Sequence, residues 1–167
     1  MLSYLSRTVP VLLRAFVGGN GQLVSRIDRR VRLRELDINW HMNQAVYAQV
    51  MELGRADWLI RSGALVRWRG QGVKAVVASQ HIVYRRELGR SMSYTLDTRA
   101  LGMSGRLLKI QTNMIVGTRV HARNDTEAIF IGPQGVLGAE AATAAAEGLL
   151  TTPLAIDDWR VIEQGYM

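Results

Sequence analysis

Between residues 26 and 34 the chain alternates, with Ile27, Val31 and Leu33 on one side and Arg26, Asp28, Arg30, Arg32 and Arg34 on the other. A period of two is that of a half-buried strand, because successive side chains leave opposite faces of the pleat. Arg29 alone breaks it. From Gln44 to Arg61 the period lengthens: Val46, Val50, Leu53 and Ile60, joined by Tyr47, Met51, Gly54 and Trp58, make the broad apolar stripe of a buried helix. Asn43 stands before it as an N-cap and Ser62-Gly63 closes it. An Arg- and Gly-rich loop, Arg67 to Gly72, comes next.

Four strand-like segments follow, separated by turn signals. Val73 to Leu88 is apolar on both faces, as expected of a strand covered on both sides. Ser91 to Leu101 alternates, with Met92, Tyr94, Leu96 and Ala100 inward and Ser93, Thr95, Asp97 and Arg99 outward. Leu108, Ile110, Met114 and Val116 repeat the pattern, and Val120 to Ile131 supplies a last strand with Asn124-Asp125 as a candidate bulge. The order is strand, long helix, four-stranded meander. It predicts an α+β fold with an antiparallel sheet, since parallel pairing would need a crossover helix at each connection. To bury the helix, the sheet must curl around it. The expected domain spans 25–135. An amphipathic segment, 1–24, precedes it. A helical tail, 136–167, follows, with an Ala-rich stretch from Ala139 to Leu150 and a segment from Pro153 that includes Trp159, both expected as surface helices outside the domain.

Composition narrows the chemistry. With 167 residues the chain can bury one real core without cross-links. It has no Cys, which excludes a disulfide framework, a thiolate nucleophile and Cys-ligated metal, and fits a reducing compartment such as the cytoplasm. Only His41, His81 and His121 supply imidazoles. No apolar run reaches the roughly 18 residues of a spanning helix, because Arg7, Arg14 and Gly18-Gly19-Asn20-Gly21 interrupt the first segment. Residues 1–17 read as an amphipathic helix lying on a membrane, on a partner, or on its own domain. The formal charge is +7, and the first 34 residues hold seven Arg against one acid, Asp28. Nucleic acid, an anionic membrane surface, coenzyme A phosphates, or a merely solvated Arg-rich surface all fit that excess. Helix-turn-helix, zinc spacing and a base-stacking aromatic strand are all absent from the pattern, so no nucleic acid partner is expected.

The informative stretch is Asp37-Ile38-Asn39-Trp40-His41-Met42-Asn43-Gln44-Ala45-Val46-Tyr47, at the handover from first strand to long helix. Asp37, Asn39 and His41 alternate just ahead of a helix N-terminus, whose unpaired N–H groups and partial positive charge suit a carbonyl oxygen turning anionic during acyl transfer. A carboxylate beside it can serve as base on water or as nucleophile. Spacing alone leaves capping open for Asp37 and a structural role open for His41.

The segment Leu36 to Arg55 resembles the signature of hot-dog thioesterases of the 4-hydroxybenzoyl-CoA thioesterase type. In these an Asp, a His-(Val/Met)-Asn-Asn element, a Tyr, a Glu and an Arg recur, here at Asp37, His41-Met42-Asn43, Tyr47, Glu52 and Arg55. Asp37 to Asn43 also resembles the Asp-x-Asn-x-His-Val-Asn segment of plant acyl-ACP thioesterases. Tyr84-Arg85-Arg86-Glu87-Leu88 is similar to an element of a thioesterase-like branch whose animal members are membrane-associated. The resemblance covers roughly residues 25 to 135. It implies a hot-dog fold, a long helix wrapped by a curved antiparallel sheet of five or six strands, assembled as a homodimer or a dimer of dimers with its site at the dimer interface.

For the site, the resemblance implies Asp37 as the catalytic carboxylate, the Gln44 backbone N–H as oxyanion donor, Asn39 and His41 as orienting partners, and Glu52 with Arg55 as the helix pair. Trp40, Asn43, Tyr47, Arg85 and Arg86 are expected to bind substrate, and Arg67, Arg69, Lys74 and Arg90 could join them in meeting CoA phosphates or an acidic carrier protein. No metal or resident cofactor is implied, since coenzyme A or acyl carrier protein arrives as part of the substrate. Two positions depart from the pattern. Gln44 replaces the second Asn, and Trp40 stands where Gly is common, so its indole is expected to fill part of the channel or reshape the loop. The implied reaction is hydrolysis of acyl thioesters; the alternative is an acyl-CoA or acyl-carrier binding protein without turnover.

Overall fold

The computed structural model describes residues 21–154. The expectations for residues 1–17 and for the segment around Trp159 lie outside those residues. Strands β1 (Val24–Arg30), β2 (Lys74–Tyr84), β3 (Ser93–Ser104), β4 (Leu107–Val116), β5 (Arg119–Gly132) and β6 (Gly135–Val136) form one antiparallel sheet. The helices are α1 (Gln44–Arg61), α2 (Ala64–Gly70) and α3 (Ala139–Ala146). Helix α1 lies against β1, β3 and β4, so the fold is the α+β sheet-around-helix arrangement expected.

Its boundaries are chemical. Asn43 Oδ1 accepts the Ala45 N–H at 2.9 Å, satisfying one of the orphan donors of the first turn, and Gly63 takes φ 78° just past the end. The buried stripe splits into two centres. Val46, Tyr47, Val50 and Met51 pack with Ile27, Leu96 and Met114, while Trp58 packs with Trp68, Leu108 and Phe130. Between them Gly54 lets the helix touch the sheet, for a Cβ there would collide with Thr98 Oγ1. Thr98 Oγ1 in turn donates to Thr112 Oγ1 at 3.1 Å.

Several expectations need correction. The sheet order is β1-β3-β4-β5-β2, so only β3 to β5 form a meander, and β2 crosses to the far edge beside β5. There it is mostly exposed rather than covered on both sides, with Val76 39% and Val77 47% accessible. Of the expected loop Arg67 to Gly72, residues 67–70 belong to the helix Ala64–Gly70, because Ala64 and Trp68, one turn apart, both bury; Trp68 stacks edge-on to Phe130 at 4.9 Å. Leu33 leaves the inward face, since β1 ends at Arg30 and a 3-10 turn (Leu33–Glu35) exposes it. Asp97 and Arg99, expected outward in solvent, are buried as a pair: Arg99 Nε donates to Asp97 Oδ1 at 2.8 Å and Arg26 Nε to Oδ2 at 3.0 Å. Asn124 and Asp125 pair regularly with Thr112 and Gln111, and the register shifts fall at Val77/Ser79, Ala100/Gly102 and Met114/Ile115 instead.

The Ala-rich stretch, expected outside the domain, belongs to its core. Ala142, Ala145, Ala146 and Leu149 bury against the Trp58 and Trp68 cluster. Trp68 Nε1 donates to the Ala145 carbonyl at 2.8 Å, and Arg67 donates to the carbonyls of Ala144 and Glu147 at the helix C-terminal end. A cation there meets both the orphan carbonyls and the negative end of the helix dipole.

Candidate active site

After β1 and the 3-10 turn, the chain makes a tight hairpin before entering α1. Leu36 and Met42 pair across it, Asp37 N–H donates to the His41 carbonyl at 2.8 Å, and Trp40 N–H to the Asp37 carbonyl at 3.2 Å. Three residues, Ile38, Asn39 and Trp40, form the tip, and the last has φ 62°. A hairpin of this length commonly ends with a left-handed residue, usually Gly. Trp40 takes that conformation at some cost, and its side chain leaves the body of the protein 61% exposed. Of the two expected consequences, filling the channel or reshaping the loop, the positive φ of Trp40 fits the second.

Asp37 holds this hairpin from inside. Its Oδ1 accepts the N–H groups of Asn39 at 2.8 Å and His41 at 3.3 Å. The second oxygen, Oδ2, has no hydrogen-bond partner and the carboxylate no cation among the described residues. The hairpin is stitched to the stretch after β2 by the Met42 N–H on the Leu88 carbonyl at 2.8 Å and by a bridge between His41 and Gly89. That stitching brings Arg85, Arg86 and Glu87 to the mouth of α1.

Together these segments line an open cleft of about 330 Å³, bordered by Asp37, His41, Gln44, Tyr47, Arg85 and Arg86, with Met42, Tyr84 and Glu87 completing the wall. The Gln44 N–H, at the first turn of α1, has no acceptor among the described residues, whereas its neighbour Ala45 is capped by Asn43. His41 Nε2 lies 3.2 Å from Glu87 Oε2. Tyr47 is buried; its hydroxyl accepts the Leu88 N–H at 3.1 Å, and its ring meets Tyr84 edge-on at 5.1 Å. Burial pushes the Tyr47 hydroxyl up to about 12, so it stays neutral.

Six of the expected residues therefore share one cavity, and four do not line it. Asn43 caps α1, Asn39 contributes its backbone N–H to Asp37, Trp40 faces solvent, and Glu52 is exposed further along α1. Arg55 reaches Thr126 Oγ1 at 3.4 Å instead of the cavity. Arg67 is occupied at the end of α3. Tyr84 and Glu87 were missed as site residues although they flank the two arginines in sequence; only the pairing of His41 with Gly89 reveals that they face Asp37. Among the described residues no cluster of His, Asp and Glu has the makings of a metal site.

A sheet curled on one long helix, with a carboxylate just ahead of the helix N-terminus, defines the class: a hot-dog fold. The chain belongs to the thioesterase-like superfamily, whose family model matches residues 31–147. Among solved structures it is similar to a probable thioesterase, YbaW, from Escherichia coli (TM-score 0.68, 22% identity, covering 78% of this chain and 100% of that one). It is also similar to the protein SAV2348 from Staphylococcus aureus, solved with CoA (TM-score 0.63, 14% identity, 83% and 92% covered). The DHNA-CoA thioesterase of Staphylococcus aureus is a third (TM-score 0.57, 16% identity, 72% and 83% covered).

Proposed function

We propose that this protein hydrolyses acyl thioesters of coenzyme A or an acyl carrier protein, with Asp37 Oδ2 as the working oxygen. The observation that carries the reading is the shared cavity of Asp37 and the Gln44 N–H, one offering an uncommitted carboxylate oxygen and the other an uncommitted donor. The thioester carbonyl oxygen sits on the Gln44 N–H, where the dipole of α1 stabilises the charge that develops. Asp37 Oδ2 takes the proton of an attacking water, or attacks the carbonyl itself; the thiolate of the carrier then leaves. Direct attack leaves an acyl–Asp37 anhydride that water then cleaves; in ¹⁸O water, a first-turnover acid without label, with the label on the Asp37 carboxylate, identifies that route. His41, held by Glu87, orients the participants. Arg85 and Arg86 meet the phosphates of the carrier group, a role consistent with the CoA carried by the Staphylococcus aureus relative.

The working unit is a homodimer. Among the described residues strand β2 ends the sheet with an unpaired backbone edge and exposed Val76 and Val77, a ready template for a second strand. Its two apolar faces make sense once a second copy covers them. Sedimentation velocity tests this: a dimer is expected, and Val76→Lys with Val77→Lys should make it a monomer. The non-catalytic alternative rests in part on the substitution at Trp40, whose side chain does not line the cleft.

An acyl-CoA panel covering aliphatic and aromatic acyl groups, assayed on wild type beside Asp37→Ala, tests the activity. Hydrolysis of some member by wild type, lost in the variant, is expected. Binding of acyl-CoA without turnover across the whole panel would instead establish the non-catalytic reading.

A further inference from the structure

The tip of the hairpin beside the cavity is apolar where solvent should make it polar. Ile38 is 94% exposed and Trp40 61%, and Leu33, at the foot of the same loop, is 59% exposed. Exposed single apolar residues are ordinary, but these three fall within residues 33–40, and two of them form the tip of one hairpin. The chain also keeps an indole at φ 62°, in a place where Gly would relieve the backbone. The hairpin is rigid, since Asp37 takes up two of its N–H groups and two further backbone bonds close its stem. On its shoulder Arg32 and Arg34 are exposed and form no ion pair with any described residue.

We propose that Ile38 and Trp40 are an interfacial anchor that inserts into an anionic lipid bilayer, with Arg32 and Arg34 on the headgroups, setting the mouth of the cavity against the membrane. Trp settles at the boundary between headgroup and acyl chain, and Arg is drawn to anionic lipid while its stem lies on apolar surface. The shape favours a bilayer over a protein partner: Ile38 stands almost clear of the protein, so a protein partner would have to supply a concave pocket for it, whereas lipid supplies its own. This anchor is separate from residues 1–17, and its binding does not depend on turnover.

The test is sedimentation of the full-length protein with vesicles of phosphatidylcholine mixed with phosphatidylglycerol, and with pure phosphatidylcholine. Wild type should bind the mixed vesicles. Ile38→Ser and Trp40→Gly should each weaken that partition by about tenfold, the worth of one large apolar side chain withdrawn from lipid. Trp40→Gly should do so while melting at a higher temperature than wild type, which separates loss of the anchor from loss of the fold. Arg32→Gln with Arg34→Gln should lower binding to the mixed vesicles only, and added salt should do the same. Wild-type partition in the Ile38→Ser/Trp40→Gly double variant would overturn the proposal. So would a wild type that ignores vesicles while the double variant falls from dimer to monomer, or while the tip binds a purified acyl carrier protein.

Discussion

The two ends of α1 each hold an aspartate, and they are used in opposite ways. Asp57, near the C-terminal end, is 1% exposed; its Oδ2 accepts from Ser25 Oγ at 2.6 Å and from Arg61 Nε at 2.7 Å, and its Oδ1 is a buried atom with no partner. Its charge is spent on holding β1 to α1. Asp37, just ahead of the N-terminal end, is half-buried, satisfied on one oxygen by its own hairpin, and faces a cavity with no cation paired to it among the described residues. A carboxylate neutralised by a neighbouring guanidinium has little left for chemistry. One fixed only through backbone N–H groups is positioned yet still presents a bare oxygen.

That contrast can be broken at several points. The largest expected effect on stability is at Asp57. Asp57→Ala removes the buried carboxylate to which Ser25 and Arg61 both donate, and should cost about 3–5 kcal/mol in chemical denaturation, while activity per folded molecule persists. Replacing the pair together, Asp57→Leu with Arg61→Met, should recover most of that loss. An Asp57→Ala protein as stable as wild type would dissolve the contrast.

Tyr47 sharpens the opposite end. Its hydroxyl is raised from an ordinary 10.0 to about 12 in the folded state, so the unfolded chain gives up this proton first. The stabilisation is complete below pH 10.0 and is lost as pH climbs toward about 12, a fall of about 2 kcal/mol. Unfolding curves collected across that range should show the slope in wild type and a shallower one in Tyr47→Phe. Between the two ends, Gly54→Ala drives a methyl group into Thr98 Oγ1 and should cost about 1–3 kcal/mol by the same measurement. Adding Thr98→Ala to it should return part of that cost, because the colliding atom is then gone.

The helix carrying this comparison was legible because its signals are local. A period near 3.6, the Asn43 cap and the Ser62-Gly63 stop all lie within the segment they define. What escaped depends on contacts between distant segments. Nothing in the residues of β2 says that it passes β3 and β4 to lie beside β5, and Trp68 reads as loop until Phe130 and Ala145 arrive to bury it. Asp97 and Arg99 read as surface charge because a buried pair at alternate positions of one strand has the same period as a solvated face. At the site, the resemblance pointed to Asp37, Gln44, Arg85 and Arg86, and these line one cleft. Glu87 needed the pairing of His41 with Gly89, a relation between segments far apart in the chain. Trp40 was visible as a departure from pattern, but its direction was set by a backbone angle that the letter alone does not encode.

Asp37→Asn is the most direct probe, because an amide keeps an oxygen for the Asn39 and His41 N–H groups while removing the charge. The measurement is kcat for the best acyl-CoA substrate, taken on protein whose unfolding free energy matches wild type. A loss of about 10²- to 10⁴-fold is expected. Turnover equal to wild type in that folded variant would contradict the assignment of Asp37, and with it the division of labour between the two ends of α1.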